Sequence, residues 1–218
     1  MPSKPKLILW GASGHASVVA DIVRLRGEFS IAGFLDDVNP GRKGDMFCGA
    51  PVFGGSDQLP ELLAKNCRHI IIGIGDCEAR LRCAAIAAAH GFSFANAIHP
   101  AAVIAGDVKM GGGTVVAAGA VVSSGASIGS HVIINTCASV DHQSELADGV
   151  HISPGAHLSG TVAVGRGTWI GMGALIKEKV WIGRDCVIGA GSLVLKNVED
   201  ATTVWGVPAA IKRRNSAK

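Results

Sequence analysis

"INTCASVDHQSELADGVHISPGAHLSG", residues 134–160, keeps a beat of six. Ile134, Val140, Leu146, Ile152 and Leu158 are all aliphatic. Four residues after the first four of them stand Ala138, Ser144, Val150 and Ala156, each small or β-branched. The beat runs outward without a slip. Upstream it reaches Ile128, Val122, Val116, Met110, Ile104 and Ile98, and downstream it continues through Val164, Ile170, Ile176, Ile182 and Ile188 to Val194. A helix of period 3.6 does not produce it, and neither do hairpins of period 2. A hexapeptide β-helix does. Each run of six makes one side of a triangular prism, and three runs, eighteen residues, make one coil. The aliphatic residue points inward and stacks on its equivalent about 4.8 Å away in the next coil. The register predicts roughly five to six such coils with no long loop extruded.

Composition agrees with many turns between short strands. Of 218 residues, 48% are hydrophobic, only 17% are charged, 30 are Gly and none is Tyr. A formal charge of +3 is too small and too dispersed to indicate nucleic acid. The opening "MPSKPKLILWG" has an apolar run too short for a signal peptide or a membrane span. Cysteines 48, 67, 77, 83, 137 and 186 form no CxxC pair and fit free thiols in a reducing compartment. The expectation is a cytoplasmic protein without a structural metal.

Residues 4–97 follow another grammar. "KLILWG", "SIAGFLDD" and "HIIIGIGD" read as strands. "SVVADIVRLR" has helical spacing at Val18, Val19, Ile22, Val23 and Leu25, and "CEARLRCAAIAAAHG" is a helix closed by Gly91. Alternating strands and helices imply a small parallel, Rossmann-like sheet. The expected division is therefore an α/β domain over 1–97 and an all-β parallel β-helix over 98–218.

The first strand runs into "GASGH", residues 11–15, where a helix begins. Gly11 and Gly14 permit a tight turn, so Ser13, His15 and the first helical amides can approach a phosphate. Asp36 and Asp37 end the second strand, where an acidic residue commonly meets a nucleoside. "GIGD" puts Gly73 and Gly75 at the end of the third strand, on the same side of the sheet. The plainer alternatives are a βα turn merely tightened by Gly11 and Gly14, and a solvated Asp37. The missing third glycine disfavours nicotinamide binding.

Over about residues 4–212 the chain resembles the NeuD/PglD/PerB-type family of bacterial sugar acetyltransferases. The resemblance rests on "GASGHASVVAD", "FLDD", "AIHPAAVIA", "IINTCASVDHQ", "GVHISPGAHLSG" and "VWGVPAAI". It implies a left-handed β-helix, a homotrimer, acetyl-coenzyme A as donor and a nucleotide-linked amino sugar as acceptor, its nucleotide held by the first domain. It also implies His142 as general base, His151 and Asn135 as further active-site residues, and Gly160 as a carbonyl-binding amide.

Spacing adds a geometric reading. His142 follows Val140 by two residues, at a corner, and His151 and His157 stand on flat sides facing out. Nine residues, half a coil, separate His142 from His151, so in a threefold assembly His142 can face the partner subunit's His151. Eighteen residues, one coil, put Gly160 beside His142, where its N–H can donate to an oxyanion. An imidazole titrating near about 6.5 suits proton removal at neutral pH. Where the family often has an acid after this histidine the chain has Gln143, which leaves Gln143, Asp141 and, more weakly, Glu145 as orienting groups.

For coenzyme A, the resemblance points to the small residues Gly160, Gly171, Gly173, Ala174, Gly189 and Ala190. Lys177, Lys179 or Arg184 would meet phosphate or simply face solvent. Three alternatives stand beside this reading: O-acetylation of a sialic-acid-type sugar, a non-catalytic trimeric nucleotide-binding scaffold, and an interfacial zinc site whose expected histidine spacing is not matched here.

Overall fold

The computed structural model describes residues 4–214; positions 1–3 and 215–218 of the expected domains lie outside the described residues. The chain divides into two units, Met1–Pro100 and Ala101–Lys218.

The first unit is built on strand β1 (Lys6–Trp10), helix α1 (Gly14–Arg26), β2 (Ser30–Leu35), β3 (Met46–Phe47), β4 (Ala50–Gly54), α2 (Leu59–Ala64), β5 (His69–Ile72), α3 (Cys77–Ala89) and β6 (Ser93–Phe94). The sheet order is β3-β4-β2-β1-β5-β6, parallel except for the β3–β4 pair. The chain moves outward from β1 to β2 and β4, then returns to β5 on the far side of β1. That reversal is a topological switch point, and in sheets of this kind ligands bind at the carboxyl ends of the strands beside it, here β1 and β5. Ile8, Trp10, Leu35, Ile70 and Ile72 pack with Leu59, Leu62, Ala84 and Ala87 of the helices in one core. Helix α1 buries Ala16, Val19, Ala20 and Val23, whereas Val18 and Leu25 are exposed. The 3.6 period turns those two away from the sheet. Helix α3 ends at His90 with Gly91 at φ +86°, in the left-handed region anticipated for it.

The second unit is a parallel β-helix of two-residue strands. On its first face Val116, Ile134, Ile152, Ile170 and Ile188 pair in register one coil apart. Val122, Val140, Leu158, Ile176 and Val194 do so on the second, and Ile128, Leu146, Val164 and Ile182 on the third. Among the described residues the second face stacks six strands and the third five. These inward residues are almost completely buried, and each contributes about 1.5–3 kcal/mol.

The residues four places after them also point inward. Where these carry a hydroxyl, it closes a backbone gap at a corner. Thr168 Oγ1 donates to the Gly183 carbonyl at 2.7 Å and accepts the Cys186 N–H at 3.0 Å. Ser144 repeats this with the Ser159 carbonyl and the Val162 N–H. Corners turn at the third residue after each aliphatic position. Gly125 does so at φ +73°, where glycine meets no steric cost, but Cys137 (54°), Gln143 (56°) and Thr161 (61°) hold the same conformation with side chains. The unit ends in an antiparallel pair, Thr202–Gly206 with Ala209–Arg214.

All six cysteines are free thiols. No helix among the described residues is long and apolar enough to cross a membrane.

Candidate active site

At the carboxyl edge of the first sheet, Gly11 adopts φ +127°. A Cβ there would fall 2.8 Å from the Gly73 carbonyl oxygen, so only glycine lets the two loops approach. The Gly11 N–H donates to the Leu35 carbonyl at 2.8 Å and the Gly73 N–H to the Trp10 carbonyl at 2.7 Å. Gly73 is itself closely packed, since a Cβ would lie 2.6 Å from Leu9 Cδ2. Ser13 stands at the N-cap of α1 without capping through its side chain, and Ser13 and Gly14 are exposed. His15 is largely enclosed. Burial first and the neighbouring Arg80 charge second pull its pKa down to about 4, so it is neutral at pH 7.

Both aspartates bond within the unit, Asp36 buried and Asp37 exposed. Asp36 Oδ1 accepts the N–H groups of Val38 and Asn39, each at 3.1 Å, and Oδ2 accepts Asn39 Nδ2 at 3.1 Å and Arg42 Nη1 at 3.2 Å. The same Arg42 Nη1 donates to the Ala12 carbonyl at 2.6 Å, which ties the "GASGH" turn to the loop after β2. Burial pushes the Asp36 carboxyl up, but the Asn39, Val38 and Arg42 donors together outweigh it and hold the group below its usual range. Asp37 accepts Trp10 Nε1 at 2.6 Å, the Ser56 N–H at 2.7 Å and Ser56 Oγ at 2.9 Å. Asp37 therefore clasps two strand ends and is not a free turn residue.

Arg80 is the site feature that sequence reading missed. It is 0% exposed, and its Nη1 donates to the carbonyls of Ile74 (3.0 Å), Gly75 (2.8 Å) and Asp76 (3.3 Å). A charged side chain on α3 thus shapes the "GIGD" loop. The signal was available as an arginine one turn into a helix that follows a glycine-rich loop.

In the β-helix, His142 is exposed at the vertex between the second and third faces, the vertex opposite the first face. Its ring lies over Gly160: a Cβ there would fall 2.5 Å from His142 Nε2. Thr161 N–H donates to the His142 carbonyl at 2.8 Å and locks the two coils together. Asp141 Oδ1 accepts the His142 backbone N–H at 2.7 Å, so that carboxylate fixes the corner and not the ring. Gln143 turns the other way, its Cγ 3.3 Å from the Cβ position of Gly125 in the preceding coil. Among the described residues no side chain hydrogen-bonds the His142 ring, and the Gly160 N–H meets no backbone carbonyl.

The first face gathers Asn135 and His151 instead. Asn135 Nδ2 lies 3.3 Å from His151 Nε2. His151 projects from the face as expected but is not open: Trp169, one coil on, stacks over it at 6.1 Å between ring centroids and leaves it 9% exposed. Trp169 Nε1 donates to Ser153 Oγ at 2.6 Å. Within one chain, then, His142 meets Gly160, Asn135 meets His151, and the two groups stand on different sides of the prism. His157 is exposed and bonds Ser139 Oγ through Nδ1 at 2.8 Å.

The expected coenzyme A surface is mixed. Ala174 is fully buried at an inward position, so its side chain lines the interior and not the outer wall. Gly171 and Gly189 are explained by coil stacking, since a Cβ would fall 2.5 Å from the Ile188 carbonyl oxygen and from Trp205 Cβ respectively. Gly173 turns a corner at φ +66°. Ala190 and Lys177 are exposed, Lys177 beside Glu178. Among the described residues no three His, Cys, Asp or Glu side chains converge as metal ligands.

Comparison with known proteins places this geometry. Residues 6–86 match the PglD N-terminal domain, and residues 161–196 match the bacterial transferase hexapeptide (six repeats). PerB from Caulobacter crescentus, solved in complex with CoA and GDP-perosamine, is 37% identical with a TM-score of 0.91, over 95% of this chain and 97% of that one. The acetyltransferase domain of PglB from Neisseria gonorrhoeae FA1090, in complex with acetyl coenzyme A, is 37% identical with a TM-score of 0.90, over 96% of this chain and 100% of that one. WeeI from Acinetobacter baumannii AYE is 25% identical with a TM-score of 0.86, over 96% and 100%. Over nearly its whole length, the chain belongs to the NeuD/PglD/PerB-type family of bacterial sugar acetyltransferases.

Proposed function

We propose that this protein transfers an acetyl group from acetyl-CoA to the amino group of a nucleotide-linked amino sugar. Residues 1–97 hold the nucleotide and residues 98–218 carry the transfer. The observation that carries the reading is the His142 ring, exposed over Gly160 with no ring partner among the described residues. It is supported by PerB, a perosamine N-acetyltransferase bound to CoA and GDP-perosamine.

The amine attacks the thioester carbonyl directly. A C–N bond forms, and the carbonyl oxygen gathers charge that the Gly160 N–H meets. His142 takes the amine proton as the bond forms, then returns it to the departing thiolate as the C–S bond breaks. The enzyme works as a homotrimer in the cytoplasm, with His142 facing the partner subunit's His151 across the vertex. In the first unit, Gly11, Ser13, Gly14 and His15 receive the phosphates at the N-terminus of α1. Asp36, Asp37, Gly73 and Gly75 frame the nucleoside. Gly160, Gly171, Gly173, Gly189 and Ala190 line the pantetheine path, and Lys177 meets its phosphates.

A thioester-release assay against a panel of nucleotide-linked amino sugars tests the reading. Acetyl-CoA-dependent release with at least one amine supports it. No release with any amine, while the protein still binds nucleotide, selects the scaffold alternative.

A further inference from the structure

Asn135 holds a fixed orientation. The Thr136 backbone N–H donates to Asn135 Oδ1 at 2.8 Å, and Thr136 Oγ1 approaches the same atom at 3.4 Å. A backbone N–H can only donate, so the atom that faces it is the amide oxygen. The other end of the group, Nδ2, then faces His151 Nε2 at 3.3 Å. An amide nitrogen carries two donors and no acceptor. Nε2 must meet it with a lone pair, and the ring proton belongs on Nδ1.

The ring is also held in place. Trp169 stacks on it with planes 22° apart, and the indole is pinned by its bond to Ser153 Oγ at 2.6 Å. A flipped or doubly protonated ring would set an N–H against the Asn135 NH₂, donor against donor. His142, in contrast, is exposed with no ring partner among the described residues.

We propose that Asn135 and Trp169 are positioning residues that lock His151 as its neutral Nδ1–H tautomer, so that His151 serves acetyl transfer as a hydrogen-bond donor and never as a base. This rests on the transferase reading above and assigns proton transfer to His142 alone. Thr136 and Ser153 complete the lock from either end.

Neutron diffraction from deuterium-exchanged crystals of the full chain reads the tautomer directly. A deuteron on His151 Nδ1 with none on Nε2 is expected, and one on Nε2 overturns the lock. Asn135→Asp replaces the facing donor with an acceptor. It should move the deuteron to Nε2 and lower kcat on the order of 10², the scale for losing one oriented donor, with the KM for acetyl-CoA unchanged. A deuteron that stays on Nδ1 alone in that variant removes Asn135 from the role. Trp169→Ala should leave the His151 ring in more than one orientation, and a single ordered ring there removes Trp169 from it. If Asn135→Asp does not fold, the wild-type map still decides. Wild-type protein with the deuteron on Nδ1 that releases no thioester supports the lock and overturns the transferase reading instead.

Discussion

The two polar centres of this protein differ in where their hydrogen bonds end. At the carboxyl edge of the first sheet, Asp36, Asp37, Arg42 and Arg80 place their charges on loops of their own unit. At the β-helix vertex, Asp141 and Thr161 fix the backbone around His142, yet its imidazole has no bond among the described residues. The first arrangement is a surface shaped in advance, so little ordering remains when a ligand arrives. The second fixes the backbone and leaves the ring exposed, the arrangement that the proposed base requires.

The contrast breaks most visibly at His142. His142→Ala should lower turnover by about 10²–10⁴ with little change in acetyl-CoA affinity, and His142→Asn should be nearly as poor. A folded His142→Ala protein within about threefold of wild type ends the general-base assignment.

Gly160→Ala comes next. Its new Cβ would fall 2.5 Å from His142 Nε2, so the ring must move. Misplacement by about 1 Å costs on the order of 10² in rate. Steady-state kinetics should show that loss in kcat while thermal unfolding changes little. Unchanged kcat would mean that ring position over this glycine is immaterial.

His15 tests the first centre through pH. Its folded pKa of about 4 lies below the unfolded value of 6.5. Between these values the unfolded chain binds a proton that the folded chain refuses, so the stabilisation present above 6.5 is lost as pH falls toward 4. Denaturant unfolding should lose about 2 kcal/mol from pH 7 to 5 on this account, and His15→Gln should flatten that slope. An identical slope in the variant would show that His15 titrates normally.

Asp36→Ala should have the smallest effect. It frees Arg42 from one side of the clasp that holds the Ala12 carbonyl. The KM for the nucleotide-sugar should rise about tenfold, near 1.4 kcal/mol, and that for acetyl-CoA should not change. Equal shifts in both constants would remove the distinction between the two centres.

How much was legible follows from what periodicity encodes. The hexad register and the eighteen-residue link from His142 to Gly160 depend on sequence spacing alone, and both stand in the structure. The "GASGH" turn was legible because glycine pairs mark tight turns. Arg80 is not marked by the helix pattern, which shows apolar faces only; its place one turn after a glycine-rich loop is the signal that carries it. The bonds that Asp36 and Asp37 make to Arg42 and Ser56 were not legible, because both partners lie in single 3-10 turns too short to carry a period. The cover that Trp169 gives His151 was within reach, since the two stand one coil apart. The expectation that His151 faces out holds, and the column of outward residues adds that Trp169 lies over it. Val18 and Leu25 share the helical spacing of α1 with Val19, Ile22 and Val23, yet they lie off its buried face, so spacing alone does not separate them.

The in-register columns also set which insertions and deletions this protein can survive. Removing one residue between two aliphatic positions rotates every later side chain by one place, sending polar groups inward and aliphatic ones to solvent. Removing six preserves inside and outside but moves each later strand to the next face, which carries a histidine from a vertex to another vertex. Only changes in multiples of eighteen preserve both. Length variation within residues 101–194 is therefore quantised, and any other addition has to bulge outward at a corner, where it leaves the count of the columns untouched.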